Sequence, residues 1–186
     1  MIIKGNKRGH GKELAHHLMN TRDNEHVELF DLRGFVADDL HGAMQETEAI
    51  ARGTRAEKPF FSLSLNPPDQ ENVPPEVFEA ALGRIEDRLD LGAQPRALVF
   101  HEKEGRRHLH AVYSRIDGEA MTAVRLDYYK RHLNDVAREM YLEQGWEMPK
   151  GFKDAHQRDP LSFTLSEWQQ AKRTGQDPKT MKESMR

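Results

Sequence analysis

Two apolar runs joined by a short polar link constrain this chain more than any other feature. They lie in "RALVFHEKEGRRHLHAVYSRID", Arg96 to Asp117, where "EKEGRR" is the whole connection. Parallel neighbours need a crossover of about a dozen residues or more, so the link predicts an antiparallel hairpin. Centring its turn on Glu104 and Gly105 sets His101 across from His108. His110, two residues further on, shares the face of His108 because strand side chains alternate. Three imidazoles then converge on one patch of sheet, within reach of one divalent cation. Imidazole suits Mn, Zn, Cu and Ni, and a three-histidine site leaves coordination positions open for substrate oxygens. The plainer alternative, half-exposed strand histidines each satisfied by a neighbour, suits one histidine better than three that converge.

The remainder of the chain supplies strands and helices around that hairpin. "MIIK", "HVELFDLRGF" and Phe60 to Leu65 of "PFFSLSLNPP" read as strands, with a further short one near "AMTAV". "GHGKELAHHLMN" reads as a helix with Leu14, His17 and Leu18 on one face, and "ADDLHGAMQETEAIARGT" as a second. "PPEVFEAALGRIEDRLDL" is amphipathic through Val77, Ala81, Ile85 and Leu89, and tolerates Pro74 and Pro75 in its first turn. A long helix is expected from Tyr128 to about Glu143. Together with the antiparallel hairpin this predicts an α+β fold, a mostly antiparallel central sheet covered by helices.

The pattern weakens after Trp146, so a domain over 1–147 and a largely helical extension over 148–186 are expected. One helix there is capped by Thr164 with Glu167 three residues on. The polar end "KTMKESMR" is read as continuing into a further region. With no cysteine, disulfide frameworks and thiolate metal sites are excluded. No run approaches the roughly 20 apolar residues that span a bilayer, and "MIIKGNKRGHGKE" lacks the apolar stretch of a secretory signal. A bacterial cytoplasmic location is expected. Net charge is −3, yet Lys4, Lys7, Arg8, Lys12 and Arg22 face only Glu13 within residues 1–22. A local basic face therefore leaves a nucleic-acid partner open.

The motif His, hydrophobic, His, preceded by a histidine on the adjoining strand, resembles the metal motif of the HUH single-strand endonucleases. "HEKEGRRHLHAVYSRID" and the order of elements are most similar to the relaxases of plasmid mobilisation and conjugation, the MobA/VirD-type branch. The resemblance runs from the N-terminus to about Glu147. It implies a DNA strand transferase that nicks single-stranded DNA at a transfer origin and stays joined to the 5′ phosphate. It also implies His101, His108 and His110 as ligands of one divalent ion, Mn or Mg foremost, with Zn or Ni as alternatives. Accessory relaxosome proteins are implied partners.

That branch usually carries a tyrosine nucleophile near the N-terminus, whereas here no tyrosine precedes Tyr113. In "ELAHHLMNTR" His17 falls where the tyrosine would be. A neutral imidazole has a nitrogen lone pair near pH 7, while tyrosine must first lose a proton. His16 is the weaker choice, pointing about 100° away on a helix. Tyr128 and Tyr129 in "RLDYYKRHL" are rivals of the replication-initiator type, with Arg131 three residues after Tyr128. A non-catalytic DNA-binding module is the third reading. Lys7, Arg8, Lys12, Arg22, Arg106, Arg107 and Arg115 are candidate DNA contacts, and Lys130, Arg131 and Lys153 extensions of a strand groove. Trp146 and Trp168 are candidates for base stacking or packing.

Overall fold

The structure is a computed structural model, and it describes residues 1–22, 24–69, 71, 73–153, 170–171, 173–177 and 180–181. Thr164, Glu167 and Trp168 lie outside the described residues, as does the side chain of Lys153. The chain falls into two compact units, Met1–Trp146 and Glu147–Arg186.

The first unit is built on strands β1 (Ile2–Arg8), β2 (His26–Arg33), β3 (Phe60–Asn66), β4 (Arg96–Lys103) and β5 (Arg106–Ser114). They form one sheet in the order β1-β3-β5-β4-β2, every neighbour antiparallel. Helices α1 (Gly11–Leu18) and α2 (Leu40–Ala51) cover part of one face, and α3 (Pro75–Leu89) and α4 (Tyr129–Glu143) the other. A small ladder pairs β6 (Ile116–Asp117) with β7 (Thr122–Ala123). The α+β class read from the hairpin is the one observed. In the second unit the described residues include one helical turn, α5 (Lys150–Lys153), and a buried Ala171. No helix among the described residues is long and apolar enough to cross a membrane.

Alternation decides where the two cores sit. In β3, Phe61, Leu63 and Leu65 are buried towards α3 and α4, while Phe60 joins Leu14, Ala15, Leu18, Ala97, Val99 and Val112 beneath α1 and α2. The inward stripe of α1 is thus Leu14, Ala15 and Leu18, whereas His17 sits beside it, exposed. Its imidazole is polar enough to lose that competition to Ala15. Gly11 starts α1 where a Cβ would stand 2.8 Å from Phe60 and 2.9 Å from Met44, so only glycine lets the helix approach so closely. Its N–H donates to Glu48 Oε1 at 2.6 Å, a carboxylate of α2 serving as cap.

The hairpin turn carries positive φ at Glu104 (53°) and Gly105 (69°), the conformation that matches strand twist across a two-residue loop. Glu25 holds it, accepting from the N–H groups of Glu104 at 3.2 Å and Gly105 at 3.4 Å. His101 pairs with His108 across the ladder, as the centred turn requires.

Candidate metal centre

Register places the three histidines on the face that α1 only partly covers. His101 on β4 is 4% exposed and sits at the end of α1; His108 and His110 on β5 are half-buried. Ring centroids are 4.5 Å apart for His101 and His110, 5.2 Å for His108 and His110, and 5.3 Å for His101 and His108. One ring nitrogen from each lies within 4.8 Å of the others. It is the one such cluster of potential ligands among the described residues.

The protonation chemistry of the three rings fits a divalent cation. Burial, then the neighbouring His101 and His108, push His110 down to about 3. Burial lowers His108 to about 4, helped by His101, Arg106 and Lys103. His101 is lowered by burial, against the opposing pull of its bond to Leu18. All three rings are therefore neutral near pH 7 and offer lone pairs, the state a metal requires. His101 Nε2 is 2.6 Å from the backbone oxygen of Leu18. A carbonyl only accepts, so Nε2 carries the proton and Nδ1 keeps the lone pair. Histidine ligands commonly have their tautomer fixed in this way.

His17 is the residue before that carbonyl, and its charge bears on both His101 and His110. Its neighbour His16 is exposed and is not among the groups acting on the three rings. Tyr128 is 81% exposed, in a left-handed conformation at the cap of α4. Tyr129 packs edge-on against Phe61, 5.3 Å between centroids, on the sheet face opposite the histidines. Tyr113 is buried on that opposite face too and donates to Glu86 at 2.9 Å.

The candidate DNA contacts are sorted by the same alternation. Arg106 pairs across from Lys103, on the histidine side, with Asp69 and Glu104 as ionic partners. Arg107 points to the other side, bonding Glu102 at 2.8 Å with its guanidinium over the Phe100 ring. Lys7 also faces away, its ammonium 5.8 Å from the centre of the Tyr129 ring. Arg8 is half-buried opposite Phe60, while Lys12 and Arg22 are exposed on α1 and in the loop after it. Arg115 is 8% exposed and donates to the carbonyls of Lys58 and Val124, tying two loops rather than reaching solvent. Lys130 and Arg131 are exposed on the first turn of α4, and Trp146 stacks edge-on with Tyr141.

Of the cations on the histidine face, Lys4 was read as part of the basic N-terminal stretch but not as a DNA contact, and Lys103 was not singled out at all. For Lys103 the signal was present, since it stands two residues after His101. Lys4 needed the pairing of β1 with β3, which no local pattern reveals.

A family model described as "Relaxase: MobA/VirD2-like, nuclease domain" matches residues 14–146 of the chain. Comparison with curated proteins and with solved structures found no match.

Proposed function

The chain belongs to the MobA/VirD2-like relaxase nuclease family, and on that premise we propose that it nicks and rejoins single-stranded DNA at a plasmid transfer origin, using His17 as nucleophile. The observation that carries this reading is the convergence of three ring nitrogens beside the end of the helix that bears His17. His101, His108 and His110 would hold one divalent cation, which when bound supplies a Lewis acid that draws charge off the scissile phosphate. Their donor set contains no carboxylate, which favours Mn over Mg, with Zn or Ni also suited.

The imidazole of His17 attacks phosphorus with a ring-nitrogen lone pair. An N–P bond forms, the P–O3′ bond breaks, and the departing 3′ oxygen takes up a proton. The 5′ phosphate stays on the protein as a phosphoramidate. In the reverse step a 3′ hydroxyl attacks phosphorus, loses its proton and releases His17. The basic side chains Lys103 and Arg106 stand beside the ligands and lower the cost of gathering phosphates there. The position of Tyr129 against Phe61 counts against the replication-initiator alternative. Bacterial cytoplasm and relaxosome partners accompany this reading.

Labelled single-stranded oligonucleotides tiling a mobilisable plasmid's transfer origin, incubated with the protein and Mn, test it. A denaturation-resistant protein–DNA adduct is expected, absent in His17→Ala and retained when Tyr128 and Tyr129 are both changed to Phe. An undiminished adduct in His17→Ala would move the nucleophile elsewhere. Tight binding without a nick under any divalent ion would leave a non-catalytic module.

A further inference from the structure

Beyond the metal ligands, the uncovered part of the same sheet face has a chemistry of its own. The register Lys4↔Ser64↔His110 runs straight across three strands, from a ring of the cluster to β1 at the end of the strand order. A neighbouring row pairs Asn6 with Ser62, and Asn66 lies opposite Ile2. Lys4 and Asn6 are exposed; Ser62, Ser64 and Asn66 are half-buried. The amide of Asn66 donates to Ser64 Oγ at 3.3 Å, which leaves the Ser64 hydroxyl hydrogen free to donate elsewhere.

The strand residues of this face carry charge of one sign. Among the residues that β1, β3, β5 and β4 direct to it, none is acidic, while Lys4, Arg8, Lys103 and Arg106 are basic. A sheet surface with cations, hydroxyls and amides, and no acid among its strand residues, is built to take anions with hydrogen-bonding oxygens. Adjacent strands are about 4.8 Å apart, so His110 to Lys4 spans roughly 10 Å, a reach suited to a neighbouring phosphate of one extended strand.

We propose that Lys4 and Ser64 form a second phosphodiester subsite, holding single-stranded DNA beside the scissile linkage at the β1 edge of the sheet. This deepens the nicking reading above and rests on it. Lys7 is the internal control: it is on the same strand with the same charge, but on the opposite face, over Tyr129.

The test is the affinity of the full chain for fluorescein-labelled oligothymidylate across a salt series, for wild type, Lys4→Ala, Lys4→Arg and Lys7→Ala. One lost phosphate contact on a single strand lowers the log–log salt slope by about 0.7, or about fivefold in affinity near 0.1 M salt. Lys4→Ala should show both changes, Lys4→Arg should restore them, and Lys7→Ala should match wild type. Mn affinity, read by calorimetry, should be unchanged in all of them. Equal losses in Lys4→Ala and Lys7→Ala would mean a general charge effect and overturn the subsite, as would no loss in either. Wild-type protein that fails to bind the oligonucleotide would overturn the single-strand reading itself, and the subsite with it.

Discussion

The two faces of the β4–β5 ladder both carry buried polar groups, and they treat them in opposite ways. Towards α3, Glu86 Oε1 accepts from Tyr113 at 2.9 Å, Arg96 at 2.7 Å and Arg33 at 3.2 Å, while Arg96 also reaches Asp31 at 2.9 Å. Two guanidiniums meet two carboxylates, and the cluster is electrically complete. On the α1 face the three imidazoles meet no carboxylate among the described residues; burial and one another keep them neutral, and one ring nitrogen of each lies within 4.8 Å of the others. A closed network of that kind holds the sheet to its helix. An open one has room for a ligand, and the difference separates scaffold from site without reference to residue type.

Removing one member of the closed network should have the largest effect on stability. Glu86→Ala leaves two guanidiniums and a phenol without their shared acceptor, and breaking such a buried pair costs about 3–5 kcal/mol. Urea unfolding should show that loss, while Mn affinity of the folded protein stays at the wild-type value. A variant that keeps its stability but loses metal would reverse the assignment of the two faces.

His110→Ala should do the converse. Even changes to groups that merely orient a ligand weaken metal binding by 10- to 100-fold, so loss of a ligand should weaken it by about 100-fold or more. The unfolding midpoint without metal should hardly fall, because the ring removed has no ionic partner among the described residues. Calorimetric titration with Mn or Zn reads the first quantity and a thermal melt the second.

How much of this was legible beforehand depended on range. The hairpin was legible because a short link and a Glu-Gly turn are local, and they brought His101 opposite His108. The sides of Arg106 and Arg107 were equally readable by counting from His108, although both had been grouped together as DNA contacts. By contrast, Lys4 and Lys7 differ only through the pairing of β1 with β3, strands more than fifty residues apart in sequence. The same distance hid the Leu18 carbonyl that orients His101, which lies 83 residues away. Arg115 was ambiguous for another reason: a guanidinium that bonds backbone carbonyls leaves no complementary acid in the sequence to find.

Acid should expose the open face next. His108 and His110 have folded values near 4 and 3, below the ordinary histidine value of about 6.5. Below that value the unfolded chain binds more protons than the native one, so stability is present above about pH 6.5 and is lost as pH falls. His110, the more deeply buried, alone accounts for about 2 kcal/mol of loss by pH 5, or roughly 4–8 °C in the melting midpoint of metal-free protein, and the partly shielded His108 adds less. The double variant His108→Ala with His110→Ala should flatten that slope. An equally steep slope in the double variant would place the titrating groups elsewhere.

The smallest effect concerns Arg106 against Arg107, adjacent residues on opposite faces. Arg106 is at the rim of the histidine cluster, and its exposed partners Asp69 and Glu104 occupy the guanidinium that a phosphate would use. An exposed pair is worth about 0.2–1 kcal/mol, so freeing Arg106 from one competitor strengthens phosphate binding by at most about fivefold. Asp69→Asn should therefore bind oligothymidylate more tightly than wild type, and the gain should vanish when Arg106→Ala is added. Arg107→Ala, whose side chain lies over Phe100 beside Glu102, should leave that affinity alone. Weaker binding in Asp69→Asn would make Asp69 a support for the hairpin rather than a rival of the phosphate. Equal losses in Arg106→Ala and Arg107→Ala would show that facing the histidines confers nothing on a cation here.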